Sequence, residues 1–588
     1  MEQLGQEDPK SGQRLLVAMV VMMALLAVWS WFYKPAAPPA GTPAAQGVAA
    51  TATPAMTPAE ETPKGEAPKG QAEAVAQAVA GEAESSVELS NADLALTFSS
   101  RGGVLTKAIL KHYAYAGQPD DLVSPLSTQA DKYPLAVVTG DEAYDREVAA
   151  ALFHVEQTSG QGGAKSVTFD WSDGKGNAVH KALTLDAKGY LLDLTVSAVK
   201  DGKALSPVPL AWGPGFAGLE KSQAENRYFL QEYVGLEEGG SFKKVTRSKV
   251  KADNPMVTDT YGTKGPLGWA AITNNYFAAA FWPDSPMPWV RVVTEHLSED
   301  AQKIHPADSD ITLVVGFPGK GRLFLGPKAW DILKEMGGNF TRLTNWGWLG
   351  PLCAVLLWGL KWLYSGVGNY GVAILLLTLI IKVAFFPLTQ RSMVKMKEMG
   401  DSMKRLKPQV DRIKSKYKKI GRDMATRQKM NEEMMALYQR EGVNPLGGMS
   451  GCLPLLIQMP IFFALFDLLP KAIELRGAPF FGWIQDLSVK DPYYVTPILM
   501  GVTMAASTLM TSTQTLEGAQ KAMMWLMPVM FTWFCLWAPA GLTLYWLANN
   551  VLTIGQQTLI NRQAAAKQAE IQKSRKSTPK GPSRPSHA

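Results

Sequence analysis

The hydrophobic pattern of the chain begins with a long apolar run. Residues 15–33 carry no charge, and a run of about 19 residues is long enough to cross a bilayer as a helix. A cleaved signal peptide is the alternative, but the run is longer than the apolar part of a signal peptide and ends in aromatic residues. It also has no small-residue cleavage site close behind it. We therefore predict an uncleaved transmembrane anchor in residues 1–34.

Five further apolar segments in the last third of the chain predict more membrane-spanning helices. They cover residues 370–388, 452–469, 493–512, 522–537 and 542–560. Six spans put both termini on the same side of the membrane. The Lys/Arg-rich loop 390–442 and the basic tail 563–588 then both face the cytoplasm, as the positive-inside rule requires.

One apolar stretch, residues 346–364, does not fit this count, because a seventh span would put the basic loop and the basic tail on opposite sides. We predict instead that the region 329–365 contains an amphipathic helix on the outer membrane surface. Its aromatic residues suit the headgroup level: Trp346, Trp348, Trp358, Trp362 and Tyr364.

Between the anchor and this helix, the amino-acid composition and the hydrophobic pattern change near residue 86. Residues 35–85 are rich in Ala, Pro and Glu and read as a disordered linker, because they cannot bury enough apolar surface to fold. Residues 86–328 show short alternating runs between turn residues, which predict an all-β sandwich. The six-span topology makes this domain periplasmic. A scaffold or docking module is favoured over an enzyme, since no acid pair or nucleophile arrangement stands out.

The cytoplasmic loop 390–442 predicts an antiparallel helical hairpin. Its first helix carries an apolar seam at alternating spacings of three and four, formed by Met396, Met399, Met403, Leu406, Val410, Ile413 and Tyr417. A second set, Met430, Met434 and Leu437, faces back. The methionines form either the hairpin core or an adaptable apolar surface for nascent segments.

Composition and charge exclude several classes of function. The three cysteines all fall in apolar stretches, and the six histidines form no HExxH-like cluster, so we predict no disulfide framework, no metal and no cofactor. A GxxxxGK[ST] nucleotide loop is also missing from the sequence. The net charge of +7 is concentrated in the cytoplasmic segments. The basic tail is either a contact for ribosomal RNA or anionic lipid, or a plain solubilising terminus.

The most informative polar residue is Lys382, which interrupts an apolar span. A charge at the centre of a membrane helix costs about 2.5–3.5 kcal/mol on the insertion scale, so it calls for a reason. Leu388 lies about 9 Å further toward the cytoplasmic end of the helix. The lysine stem can cover much of that distance, and simple snorkelling is therefore the alternative to a functional role.

Other polar side chains in the spans favour the functional role. Thr378 lies one turn before Lys382, and further polar residues occur in three other spans: Gln458, Thr503, Ser507, Thr511, Asn549 and Asn550. A hydroxyl in a membrane helix often bonds only its own helix backbone, so each is weak evidence alone. Together they predict a hydrated, positively charged cavity in the cytoplasmic half of the bilayer.

In its sequence motifs, the chain resembles the YidC insertases of the wider YidC/Oxa family along nearly its whole length. Matching runs in the membrane part are 368–374 (GNYGVAI), 443–447 (VNPLG), 451–461 (GCLPLLIQMPI), 539–542 (PAGL) and 544–546 (LYW). In the β region they are 268–272 (GWAAI) and 326–328 (GPK). A set of ordered matches of this length is highly specific.

The resemblance implies an α-helical polytopic inner-membrane protein with six transmembrane helices. Residues 366–562 would form a five-helix insertase core with a groove open to the cytoplasm and to lipid. The family's groove contacts carry over to Thr378, Gln458, Met459, Pro460, Tyr545 and Trp546. Its groove arginine corresponds to Lys382, which keeps the charge but lacks the planar guanidinium.

The implied function is non-enzymatic insertion and folding of nascent membrane proteins, alone or with the Sec translocon. The ribosome, reached through the hairpin and the tail, and membrane lipids would be further partners. Two alternatives from other classes are a secondary transporter using Lys382 as a coupling charge and a membrane-anchored periplasmic carbohydrate enzyme. The first lacks internal repeats, and the second leaves the patterned helices unexplained.

Overall fold

The computed structural model describes residues 77–115, 118–123, 133–215, 233–246, 251–254, 258–294, 311–418, 424–442, 453–510 and 519–577. The predicted anchor, Cys452, Thr511 and the tail beyond residue 577 lie outside these residues. So does most of the predicted linker.

The β region consists of strands joined by short turns. In chain order they are β1 Ala78–Val79, β2 Ser86–Ser90, β3 Leu94–Ser99, β4 Val104–Tyr115, β5 Gln118–Asp121, β6 His154–Ser159, β7 Lys165–Asp173, β8 Ala178–Leu185, β9 Leu191–Lys200, β10 Lys203–Leu205, β11 Val208–Trp212, β12 Tyr233–Glu238, β13 Ser241–Val245, β14 Lys251–Asn254, β15 Thr258–Thr273, β16 Phe277–Pro283, β17 Met287–Thr294, β18 Ile311–Phe317 and β19 Lys320–Pro327. Helix α1, Glu142–Ala150, connects two of them, and Asp141 caps its first turn.

Two antiparallel sheets pack face to face in this region. The larger sheet has 15 of the described strands, with a main path β1-β7-β8-β9-β19-β16-β15-β17-β18-β11, and β2 to β5 form the smaller sheet. In β3 the residues Leu94, Leu96 and Phe98 are buried and alternate with more exposed neighbours, as one buried sheet face requires. The ring of Phe98 lies 5.6 Å from that of Phe169 in β7, so one apolar core joins both sheets.

The sheet begins earlier than the sequence predicts. Strand β1 lies within the segment assigned to the disordered linker, and it pairs antiparallel with Ser172 and Asp173 of β7. Two residues carry no alternating pattern of their own, and their order comes from a partner distant in the chain. The assignment of residues 35–85 as linker is therefore wrong for this last part.

A fully buried lysine fastens two loops to the sandwich. The Nζ atom of Lys181 in β8 donates to the carbonyl oxygens of Gly102, Gly103 and Leu135, each at 2.9 Å. Three donors meet three acceptors, which explains why a lysine is tolerated in the core. Burial lowers the pKa of Lys181 to about 7.

The rest of the described chain is helical. Its helices are α2 Trp330–Met336, α3 Gly350–Val367, α4 Tyr370–Lys418, α5 Met424–Arg440, α6 Leu453–Leu468, α7 Val495–Met510, α8 Ala519–Cys535 and α9 Ala540–Ser577. Within the described ranges, one helix, Tyr370–Tyr417, is long and apolar enough to cross a membrane by itself, and Gln458–Leu468, Val495–Met510 and Trp525–Cys535 are shorter apolar helices. Large apolar side chains are exposed on α4, α7 and α8, including Val383, Val502 and Trp533.

Helix α3 occupies the segment predicted to lie on the membrane surface. Cys353, Leu357 and Leu360 are buried on one face, whereas Trp358 and Trp362 are exposed. Trp346 is only 4% exposed and stacks on Trp330 of α2 at 4.9 Å. The placement of this helix at headgroup level stays a prediction.

In the predicted hairpin, α5 follows the C-terminal part of α4. Leu406, Val410 and Leu437 are buried, and Met399, Met403, Met430 and Met434 are partly buried. The Nζ atom of Lys416 lies 2.9 Å from Glu433 and joins the two helices. Met396 lies within α4, but its side chain is outside the described part. The buried leucines favour the interpretation of the apolar seam as the hairpin core. The methionines are only partly buried, so part of their apolar surface is exposed.

The sandwich contacts the loop between α6 and α7 through a buried ion pair. The guanidinium of Arg476 donates to both carboxylate oxygens of Asp120, one of them at 2.7 Å, and the two side chains are 3% and 4% exposed. The rings of Tyr115, Tyr276 and Phe277 surround the guanidinium at 4.9, 5.5 and 5.1 Å. The hydroxyl of Tyr276 also donates to the Pro470 carbonyl at 3.2 Å.

Candidate functional site

The candidate site centres on Lys382, within the apolar part of α4. Its side chain is half-buried, and its Nζ atom donates to the hydroxyl of Thr553 on α9 at 2.9 Å. The ammonium is therefore held by a second helix. This contact favours a defined position over free snorkelling toward the end of the apolar segment near Leu388.

Thr553 is the site residue that the sequence analysis missed. Its hydroxyl donates to the Asn549 carbonyl one turn earlier at 2.7 Å while it accepts from Lys382. The sequence carried only a weak signal, since Tyr545, Asn549 and Thr553 recur every four residues and so share one face of α9. That stripe was not extended beyond the asparagines.

Thr378 stays a predicted groove residue. It is 2% exposed, and its hydroxyl donates to the Ile374 carbonyl of its own helix at 2.7 Å. This is the local bond that serine and threonine commonly form in membrane helices. Thr378 is thus packed between helices, and its hydroxyl proton is used within α4.

A second polar group joins α6 to α9. The Gln458 amide donates to the hydroxyl of Tyr545, which is almost fully buried. Next to Tyr545, the ring of Trp546 lies 4.5 Å from those of Phe462 and Phe531 and forms an apolar wall. Met459 is partly buried and Pro460 is exposed on α6.

A third polar group joins α7 to α9. The Asn550 amide donates to the Met500 carbonyl at 3.2 Å and lies 3.5 Å from the Thr503 hydroxyl. Ser507 lies further along α7 and is partly buried. Asn549, the neighbour of Asn550, is 9% exposed, and among the described residues its Oδ1 atom has no hydrogen-bond partner.

Further along α4, toward residue 390, another contact joins α4 to α9. The Gln556 amide donates to the Thr389 hydroxyl at 3.0 Å. Four helices therefore contribute polar groups, and α9 is common to every pair. In the ranges that the structure describes, no cluster of His, Cys, Asp and Glu could hold a metal ion. The described site residues can therefore form hydrogen bonds to a bound segment and supply the positive charge of Lys382.

Two family models match this chain. Residues 86–359 match the family model described as the YidC periplasmic domain, and residues 362–568 match the model described as the 60 kDa inner membrane protein. Together they cover most of the chain. The β-sandwich is accordingly a periplasmic domain, and the helical part belongs to an inner-membrane protein.

Relatives with curated names extend the match over the full length. A protein of Citrifermentans bemidjiense named membrane protein insertase YidC is 35% identical over 564 residues, which cover 94% of this chain and 99% of that one. A protein of the same name from Geobacter sulfurreducens is 35% identical and covers 81% of this chain and 86% of its own. A solved structure titled as an active YidC insertase with its first transmembrane domain resolved is 19% identical. It covers 82% of this chain and 94% of its own, with a TM-score of only 0.33.

These relatives are insertases rather than enzymes, as the sequence analysis predicted for this chain. The resemblance found in the sequence motifs is confirmed by two adjoining family models and by relatives matched along nearly their whole length. The chain belongs to the YidC family of membrane protein insertases.

Proposed function

We propose that this insertase works through a groove formed by α4, α6, α7 and α9 and carrying one positive charge. The proposed groove residues are Lys382, Thr378, Gln458, Thr503, Ser507, Tyr545 and Asn549, with Met459, Pro460 and Trp546 as its apolar wall. The observation that carries the proposal is the Lys382 ammonium, which lies 2.9 Å from a hydroxyl of another membrane helix. Thr511 remains a predicted member outside the described residues.

In this mechanism the polar segment of a nascent protein exchanges water for the groove. Polar groups that enter hydrocarbon unpaired cost several kcal/mol each, and charges cost more. The amides of Gln458 and Asn549 and the ammonium of Lys382 replace part of the lost hydration. The apolar segment of the client meanwhile moves between the helices into lipid, and the hydrophobic effect drives its release.

We infer a six-span topology with cytoplasmic termini. It is supported by the positive-inside pattern and by the exposed apolar faces of α4, α7 and α8. Nascent membrane proteins are then the clients, and membrane lipids surround the core. The Sec translocon, and the ribosome through the hairpin and basic tail, are the further partners we propose.

Replacement of Lys382 tests the groove charge. We expect Lys382→Ala, in proteoliposomes with the full chain and no nucleotide, to slow insertion of a client with an acidic translocated tail about tenfold, the size expected for a bond to a charged group. A client with a neutral tail should be affected much less, and Lys382→Arg should be tolerated. Lys395→Ala is the matched control, because this lysine is exposed on the same helix.

Equal insertion of both clients by Lys382→Ala and by the unmodified protein would refute the groove charge. A loss that is equal for acidic and neutral tails would instead indicate general damage to the helix bundle.

A further inference from the structure

The hydroxyl of Thr553 lies where two hydrogen bonds meet. It donates to the Asn549 carbonyl at 2.7 Å and accepts from the Lys382 ammonium at 2.9 Å. A hydroxyl has one proton and two acceptor lone pairs, while an ammonium has donors only. Because the proton is used on the backbone carbonyl, the lone pairs are free to face the lysine.

The Lys382 side chain has an alternative conformation. Its flexible stem can carry the ammonium toward the cytoplasmic end of α4, which lies about 9 Å away. Full hydration there competes with the position inside the groove. In the part of the chain that the structure describes, the contact recorded for the Nζ atom in the groove is the one with Thr553.

We propose that Thr553 is the positioning residue for the groove cation, which it holds at the depth where a client's carboxylate passes. This rests on the groove function proposed above and adds a residue to it. An ammonium has three N–H donors, and the bond to Thr553 uses one. The other two can bind the client, so Thr553 orients the charge without competing for it.

The same helix offers a matched control. The Thr558 hydroxyl donates to the Ile554 carbonyl at 2.8 Å and is partly buried, so Thr558→Val removes a similar backbone bond away from the lysine. Thr553→Val keeps the shape of the side chain and removes the acceptor. Thr553→Ser keeps the acceptor.

The experiment measures insertion by the full chain in proteoliposomes, with acidic-tail and neutral-tail clients. We expect Thr553→Val to slow the acidic client about threefold to tenfold, the range of one net hydrogen bond, with little effect on the neutral one. Thr553→Ser should restore the rate, and Thr558→Val should match the unmodified protein. In a Lys382→Ala background, Thr553→Val should have no further effect.

A second readout follows the lysine itself. A water-soluble acetylating reagent added from the cytoplasmic side should modify Lys382 several times faster in Thr553→Val than in the unmodified protein. Mass spectrometry of the peptide that contains Lys382 measures this rate. Unchanged acetylation together with unchanged insertion would overturn the proposal. A loss in Thr553→Val that persists in the Lys382→Ala background would also overturn it, because Thr553 would then act independently of the lysine.

The outcomes separate the two proposals. If Lys382→Ala itself inserts acidic clients normally, the groove charge fails. If Lys382→Ala is impaired while Thr553→Val is not, the groove charge stands and the positioning role fails.

Discussion

The buried pair Arg476–Asp120 predicts that the periplasmic sandwich depends on the membrane core for part of its stability. Replacing Arg476 by Met removes the guanidinium and leaves the Asp120 carboxylate, only 4% exposed, without its ionic partner. Breaking a buried pair in this way costs about 3–5 kcal/mol. The three aromatic rings around the guanidinium add about 0.5–2 kcal/mol of cation–π attraction.

The expected shift is large enough to measure in the full chain in detergent. For a unit of 150–250 residues, each kcal/mol moves the unfolding midpoint by roughly 2–4 °C. The lost ion pair alone should thus lower the midpoint of Arg476→Met by roughly 6–20 °C. Near-ultraviolet circular dichroism can follow the transition, because Trp212 and Trp269 are buried in the sandwich.

An exposed pair in the same sandwich provides the control. Arg101 and Glu84 lie 2.9 Å apart with side chains 45% and 51% exposed, and such surface pairs contribute about 0–1 kcal/mol. Arg101→Met should hardly move the midpoint. The double variant Asp120→Asn/Arg476→Met should lose less than the sum of its single variants, because no unpaired charge remains. Equal small shifts for Arg476→Met and Arg101→Met would refute the reasoning.

Two further predictions concern stability. Lys181→Met should lower the unfolding midpoint strongly, because it leaves three buried carbonyls unpaired at about 1–3 kcal/mol each; a shift below 2 °C, on the order of 1 kcal/mol, would contradict this. Since burial lowers the folded-state pKa of Lys181 from 10.5 to about 7, the folded protein binds this proton more weakly than the unfolded chain. The lysine's contribution to the free energy of unfolding should therefore rise between pH 7 and 10, and the rise should be smaller in Lys181→Met. Gly501→Ala should destabilise the contact of α7 with α8, because the added Cβ would lie 2.1 Å from the Thr532 hydroxyl. Gly555→Ala, where nothing lies within 4 Å, should be neutral or stabilising in the same thermal scan.

Features that depend on local pattern were predictable from the sequence. The alternation of Leu94, Leu96 and Phe98 predicts a strand with one buried face, and the structure has β3 there. The start of α4 at Tyr370 coincides with the predicted start of an apolar span. In each case the residues that create the pattern are also the ones that decide the element.

Features that depend on a distant partner were not predictable. The stacking of Trp346 on Trp330 has no counterpart in the hydrophobic pattern, and the two-residue strand β1 exists only beside β7. Asp120 and Arg476 are 356 positions apart. A charged residue in the sequence carries no mark of the burial that makes such a pair strong.

The groove lies between these two cases. Lys382 was identifiable because a charge in an apolar span is costly wherever the helices pack. Thr553 lacked that mark, since a threonine in a membrane helix is normally satisfied by its own backbone, as Thr378 and Thr558 are. Only the packing of α4 on α9 distinguishes the threonine that also binds the lysine. The sequence therefore identifies the charged group of such a site, because its burial costs free energy. The hydroxyl that positions this charge is identified only from the structure.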